Sequence, residues 1–308
     1  MTDVVTELRV ACARVAERAR QVSIELEAIP AYAEALGTPS SAPEYDAEAH
    51  LTRGTREQLA AFWLTLDAIN FGSGWFPTLR KRDGRSGYFT IAIGVRERFA
   101  AHGPWTAEQL AGVEAAQLAE ALHQDRDHEL MALFGRSLRD LGTHVVDAFD
   151  GRFARVVDAA GESAVALAAL LGGWDSFADT SSYEGSPVPF LKRAQIAASD
   201  LARARVVSFC DRDRLTMFAD NLVAHVLRLD GVLRFDPMLV ARIDRGELLE
   251  HGSPEEVEIR ACALHSVELI VAHRPELCAA DVDYVLWNRG RQPRYKAVPR
   301  HRSRCTAY

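Results

Sequence analysis

Ser253-Pro254-Glu255-Glu256 opens the stretch of this chain that leaves the fewest structural options. A serine able to cap, a proline at the first helical position and a glutamate three residues past the serine form a capping box. Behind it, Val257, Ala261, Leu264, Val267 and Val271 fall on one stripe at helical spacing. Such a stripe must be buried, so the segment is predicted to be a core helix. The same rhythm runs from Val4 to Leu36 and is closed by Gly37 and Pro39, while Thr106-Ala107-Glu108-Gln109 is a second capping box. Short helical pieces are expected over Glu114 to Leu171, broken at Gly142, Gly151, Gly161 and the Gly172-Gly173 pair. Strand signals are sparse: Tyr88 to Ile93 has the residue types for a short ribbon at most. Loops are expected over Thr38 to Pro43, Gly72 to Gly87, Trp174 to Pro189 and after Asn288. No repeat or low-complexity tract divides the 308 residues, so one compact all-α domain over 1–308, with at most a small β ribbon, is the expected architecture.

Composition removes several classes of function. A hydrophobic content of 48% is ample for a buried core. No early basic-then-apolar pattern suggests a signal peptide, and no apolar run approaches the ~18 residues of a membrane span, so a cytoplasmic protein is expected. Five cysteines, scattered and without CxxC spacing, indicate neither a disulfide framework nor a zinc site; no metal and no cofactor are expected. A net charge of −7 argues against a long polyanion as main partner, because such binding is dominated by phosphate neutralisation. A small anionic ligand needs only a local basic site.

Four stretches mix polar and aromatic residues beyond what packing requires. Asp67 to Pro77 reads as a helix end followed by a Gly-punctuated aromatic loop, where Phe71 and Trp75 either plug the core or stack on a planar ligand. Tyr183 to Gln195 runs into a helix start at which Lys192 or Arg193 would add charge to a terminus already suited to anions, although basic residues near a helix start are usually just solvated. LTMFADN delivers a single carboxylate, Asp220, after an apolar run. It is either the N-cap of the next helix or a carboxylate kept partly desolvated for chemistry. Val282 to Asn288 places Tyr284 and Asn288 on one helical face beside Asp283, which could itself be a cap, and a basic tail follows from Arg289 to Arg304. His50, His225, His251 and His265 are scattered and read as surface or core histidines. No Ser/His/Asp order, Walker loop, dinucleotide fingerprint or HExxH is present.

Taken together, FLKRAQ, LTMFADN, GELLEHGSPEEVEIRACALHSVELI, VDYVLW and the terminal HRSRCTAY resemble the queuosine salvage family, whose members are queuosine 5′-phosphate N-glycosylases that release the base queuine. The likeness is densest from Phe190 onward. It implies an all-helical fold related to the helix-hairpin-helix DNA glycosylases, with Asp220 as the catalytic aspartate and Lys192 facing the substrate phosphate. It also implies that His50, Phe71, Asp283, Tyr284 and Asn288 surround the base, with Asn70, Trp75, Ala224 and Val226 as further candidates. Eukaryotic relatives carry an acid where Asn288 stands and read ADYRLPQ in place of ADNLVAH.

That chemistry suits these residues. N-glycosidic hydrolysis passes through an oxocarbenium-like state, which needs negative charge beside the anomeric carbon and a positioned water. Apolar neighbours such as Met217 and Phe218 would exclude solvent and strengthen the field of Asp220. Queuine is a 7-deazaguanine and lacks the ring nitrogen that purine hydrolases protonate, so departure must be helped elsewhere on the base. The expected partners are queuosine 5′-monophosphate and queuine, with no duplex nucleic acid and no membrane, for a monomeric protein. The competing readings are a base-excision DNA glycosylase and a non-catalytic nucleotide- or tRNA-binding module.

Overall fold

The helix expected behind Ser253 is the axis of the structure, a computed structural model that describes residues 3–37 and 45–308. It runs over Pro254–His273, and the Ser253 hydroxyl accepts from the Glu256 N–H. The reciprocal half of the capping box is replaced: the Glu256 carboxylate takes the Gly252 N–H at 3.0 Å and faces the Arg260 guanidinium at 3.7 Å. Val257, Ala261, Leu264 and Val267 are fully buried, and Val271, at the exit, is half-buried. Around this helix pack the helices Val4–Arg18, Ile29–Ala35, Asn221–Leu229 and Ala279–Arg289, which together enclose one hydrophobic cluster. A second cluster is built by Arg56–Ala68, Gly87–His102, Glu129–Phe149, Phe153–Ala159, Ala164–Gly172 and Lys192–Arg203. Among the described residues the only sheets are two antiparallel two-stranded ribbons, so the fold is mostly α. No helix of the described residues is long and apolar enough to cross a membrane. Their cysteines are free: Cys12, Cys262 and Cys305 are buried, Cys278 is half-buried and Cys210 is exposed.

Four local expectations are corrected. Val4 to Leu36 is not one helix: it breaks after Arg18 into the strand Val22–Ile24, a short 3₁₀ turn and a second helix. The cause is distant in sequence. Glu258, buried on the central helix, accepts the N–H groups of Arg20, Gln21 and Val22 at 3.0, 2.6 and 3.2 Å, donors that a continuing helix would have used internally. The freed strand pairs with Leu233–Phe235. Tyr88 to Ile93 is helical, within Gly87–His102, because Ser86 caps its start and the helix is buried along Phe89 to Val95. The actual ribbon lies where a loop was expected, Thr180–Tyr183 against Ser186–Pro189, turning at Glu184 and Gly185 with φ of 47° and 79°. Gly142 does not break its helix but lies inside Glu129–Phe149, where a Cβ would strike the backbone of Ala107 and Ala111. Gly151 and Gly161 follow helix ends as expected, and the loop expected over Thr38 to Pro43 lies outside the described residues.

Arg260 links the central helix to the segments that shape the interior between the two clusters. Its Nε donates to the Ala219 carbonyl at 2.9 Å, its Nη2 to Asp179 Oδ2 at 2.6 Å, and its guanidinium lies 3.9 Å from the Phe190 ring centroid and 4.8 Å from that of Tyr308. Burial opposes its charge, but Asp179 and Glu256 overcome that opposition and hold the proton more firmly than in a free arginine. Arg260→Met leaves both carboxylates buried without their cation and is expected to cost about 3–5 kcal/mol. Urea unfolding measures this, and a midpoint equal to that of the parent protein would remove the ion group from the stability account.

Candidate active site

Between the two clusters lies a cavity of about 1070 Å³. That is roomy for a single nucleotide, since small-molecule pockets run to roughly 1,000 Å³. Its polar heart is made where three chain segments converge. The first is Phe218-Ala219-Asp220, leading into the helix Asn221–Leu229. Asp220 Oδ1 accepts the N–H groups of Leu222 and Val223 at 2.8 and 3.0 Å, so the residue is the N-cap of that helix. The same carboxylate lines the cavity, and its second oxygen accepts no hydrogen bond from the described residues. Capping therefore does not compete with a role in the cavity: it fixes the direction in which the free oxygen points. Phe218 also lines the cavity, whereas Met217 is buried in the core behind it.

The second segment is the start of Lys192–Arg203. Leu191 adopts a left-handed φ of 53°, and Asp179 Oδ2 accepts the Lys192 N–H at 3.0 Å, so a buried carboxylate serves the helix start that Leu191 cannot cap. Lys192 is 5% exposed, and its ammonium donates to the Asn70 carbonyl at 2.8 Å. Burial lowers its pKa to about 8, against the pull of the Asp220 carboxylate. Arg193 turns the other way. It lies over Phe71 and reaches the Ala68 carbonyl at the end of Arg56–Ala68, so of the two basic residues only Lys192 meets the cavity. One face of this helix, Lys192, Ile196, Ser199, Asp200 and Arg203, continues the wall at helical spacing.

The third segment is Ala279–Arg289. Asp283 Oδ1 accepts the Phe218 N–H at 3.0 Å and so pins the loop that carries Asp220. Burial pushes the Asp283 carboxyl well above the usual range, and the Asp220 charge pushes it further the same way. Tyr284 and Asn288 share the cavity face as their spacing implied, with the Tyr284 ring 4.8 Å from the Arg203 guanidinium. Opposite them stands His50, whose Nε2 is 3.0 Å from the Tyr88 hydroxyl and whose ring stacks on Trp63. Burial lowers its pKa to about 4, so near neutral pH it is an uncharged imidazole.

The structure thus gathers Asp220, Lys192, His50, Phe71, Asp283, Tyr284, Asn288 and Asn70 around one cavity. Three sequence candidates lie elsewhere. Trp75 is buried with its indole N–H on Glu129 at 2.7 Å, and Ala224 and Val226 face the core, because only Asn221 and Leu222 of their helix reach the cavity. Several contributors were missed. Tyr45, Trp63, Tyr88 and Trp287 form an aromatic wall, and Asp200 lines the cavity with Asp67 buried near it. Burial raises both acids, Asp200 to about 6, and the Asp200 charge raises Asp67 further. The helical spacing of Asp200 from Lys192 was a usable signal. The aromatic wall has none, since its members come from distant segments. Among the described residues no group of three or more His, Cys, Asp or Glu is assembled that could hold a metal ion.

Known proteins are similar to this chain over most of their length. A protein of Sphaerobacter thermophilus named queuosine 5′-phosphate N-glycosylase/hydrolase is 36% identical over 96% of this chain and 95% of its own. A Mus musculus protein of the same name is 30% identical over 96% of each chain, and one of Dictyostelium discoideum is 31% identical over 80% of this chain and 77% of its own. Residues 49–308 match the family described as queuosine salvage protein. With the match covering most of the chain and these identities sustained along it, the chain belongs to the queuosine salvage protein family.

Proposed function

We propose that the chain hydrolyses the N-glycosidic bond of queuosine 5′-monophosphate and releases queuine for salvage into tRNA. It does so as a monomeric, cytoplasmic, single-domain enzyme without cofactor or metal, and its fold is kin to that of the helix-hairpin-helix DNA glycosylases. One observation carries the reading: a carboxylate whose first oxygen is taken up by its own helix has its second oxygen free in a cavity that also holds a buried ammonium. As the bond from C1′ to the base nitrogen breaks, positive charge grows on the sugar, and the Asp220 charge stabilises it in a site shielded by Phe218. The same oxygen holds the attacking water. Water adds its oxygen to C1′, the base leaves with the electron pair of the broken bond, and the proton released by water balances the one the base takes up.

Departure of a 7-deazaguanine needs help away from the missing ring nitrogen. Asp283, kept protonated by burial and by Asp220, supplies an O–H donor to the heterocycle. Neutral His50 with Tyr88, Tyr284 and Asn288 completes the cradle, and Lys192 takes the 5′-phosphate. A carboxylic acid and a carboxylate two positions beyond the Phe218 N–H that Asp283 holds have their roles set by environment, as paired acids in glycosidases do. Incubation with queuosine 5′-monophosphate, GMP and a tRNA bearing queuosine, scored for free base, is expected to release base from the first alone. Base release from duplex DNA with tight, salt-sensitive binding would favour the repair reading, and release from none of them the binding-module reading.

Lys192 gives a second test. One charge-assisted contact is worth ~1.5–3 kcal/mol, so Lys192→Ala should cut kcat/KM for the 5′-monophosphate about tenfold to a hundredfold relative to the nucleoside. The ammonium is present below its pKa of about 8 and lost above it, so the preference for the phosphorylated substrate should fall as pH rises through about 8. Equal losses on nucleoside and nucleotide, with a flat pH profile of the preference, would remove Lys192 from the phosphate site.

A further inference from the structure

Beside Asp220 the cavity holds a second cation whose position is fixed but which has no partner. Arg300 and Arg302 both line the cavity, and the backbone between them is anchored: Asn221 Nδ2 donates to the His301 carbonyl at 3.0 Å and the Leu249 N–H to the Arg302 carbonyl at 2.9 Å. The half-buried Arg300 is thereby held against the helix that Asp220 caps. Several other cationic side chains of the wall are engaged. Arg85 pairs with Asp46 and Glu48, Arg212 faces Asp281, and Lys192 holds the Asn70 carbonyl. The guanidinium of Arg300 makes no hydrogen bond or ion pair with any described residue. Burial pulls its pKa down, and the charge that opposes this is the Asp220 carboxylate, with Arg302 acting the other way.

An arginine cannot shed its proton to escape this position. Its planar fork is matched to a phosphate, whose monoester brings roughly −1.5 to −2 charges. It also carries a cost for chemistry. A permanent positive charge beside Asp220 weakens the negative field that the forming oxocarbenium must feel. Resting on the glycosylase reading above, we propose that Arg300 makes the reaction dependent on the substrate's phosphate: the 5′-phosphate pairs with the Arg300 guanidinium and, by neutralising it, restores the full field of Asp220 at C1′. Lys192 then contributes mainly to binding, whereas the phosphate on Arg300 acts on the transition state, which raises kcat and not only affinity.

Steady-state kinetics of the full chain on queuosine and on its 5′-monophosphate test this. In the parent protein the phosphate should raise kcat at least tenfold. Arg300→Met should raise kcat on the nucleoside about tenfold and close most of the kcat gap between the two substrates, while KM for the nucleotide increases. Arg300→Lys keeps a cation and should keep the gap. Inorganic phosphate added with the nucleoside should activate the parent protein saturably, a readout that does not depend on any variant folding. A nucleoside kcat that falls or stays level in Arg300→Met, with the gap intact, would overturn the proposal, as would the absence of phosphate activation in the parent. If the parent protein cleaves neither substrate, it is the glycosylase reading that fails, and this proposal falls with it.

Discussion

Arg260 is the interaction on which the site depends. Its Nε fixes the carbonyl of Ala219, the residue before Asp220, and its Nη2 fixes Asp179, whose other task is to receive the Lys192 N–H. One buried guanidinium therefore sets the carboxylate and the ammonium of the cavity in register, from a helix that reaches neither of them directly. Burying such a charge is costly unless it is paired, and here Asp179, Glu256 and the rings of Phe190 and Tyr308 surround it. The arrangement is rigid because Arg260, Asp179 and Glu256 are all packed at 0% side-chain exposure, which suits a site whose geometry must be ready before substrate arrives.

Within that frame, capping is what orients Asp220 toward the cavity. The helix Asn221–Leu229 uses Oδ1, Asp283 pins the preceding Phe218 N–H, and the remaining oxygen faces the cavity with its direction already chosen. The surrounding charges divide the labour. Lys192 and Arg300 stand on the cationic side of Asp220, while Asp283 shares its neighbourhood and is driven toward its neutral form.

What the sequence disclosed follows the range of the forces involved. The central helix was legible because its cap and stripe are local. Val4 to Leu36 was misjudged because Glu258 captures three N–H groups from far along the chain, which no windowed pattern contains. Tyr88 to Ile93 misled by residue type: β-branched and aromatic residues there answer to burial, and Ser86 decides for the helix. At the site, the motifs FLKRAQ and LTMFADN carry Lys192 and Asp220 to the cavity, and serving as a cap does not keep Asp220 out of it, because a carboxylate has two oxygens. Ala224 and Val226, candidates implied by the resemblance, face the core from their helix. Tyr45, Trp63 and Trp287 meet only in three dimensions, and Arg300 had been submerged in a tail that read as merely basic.

The most direct measurement takes one purified Asp220→Asn sample through three readings: melting temperature, queuine affinity and turnover of queuosine 5′-monophosphate. Asparagine caps a helix about as well as aspartate, so the fold and the base cradle should persist. The lost charge matters mainly as the bond breaks, and turnover should fall by ~3–5 kcal/mol of barrier, a hundredfold to several thousandfold. An unchanged melting temperature and retained queuine binding with that loss of turnover is the result this account expects. Near-normal turnover from the same sample would contradict it and leave Asp220 as a helix cap alone.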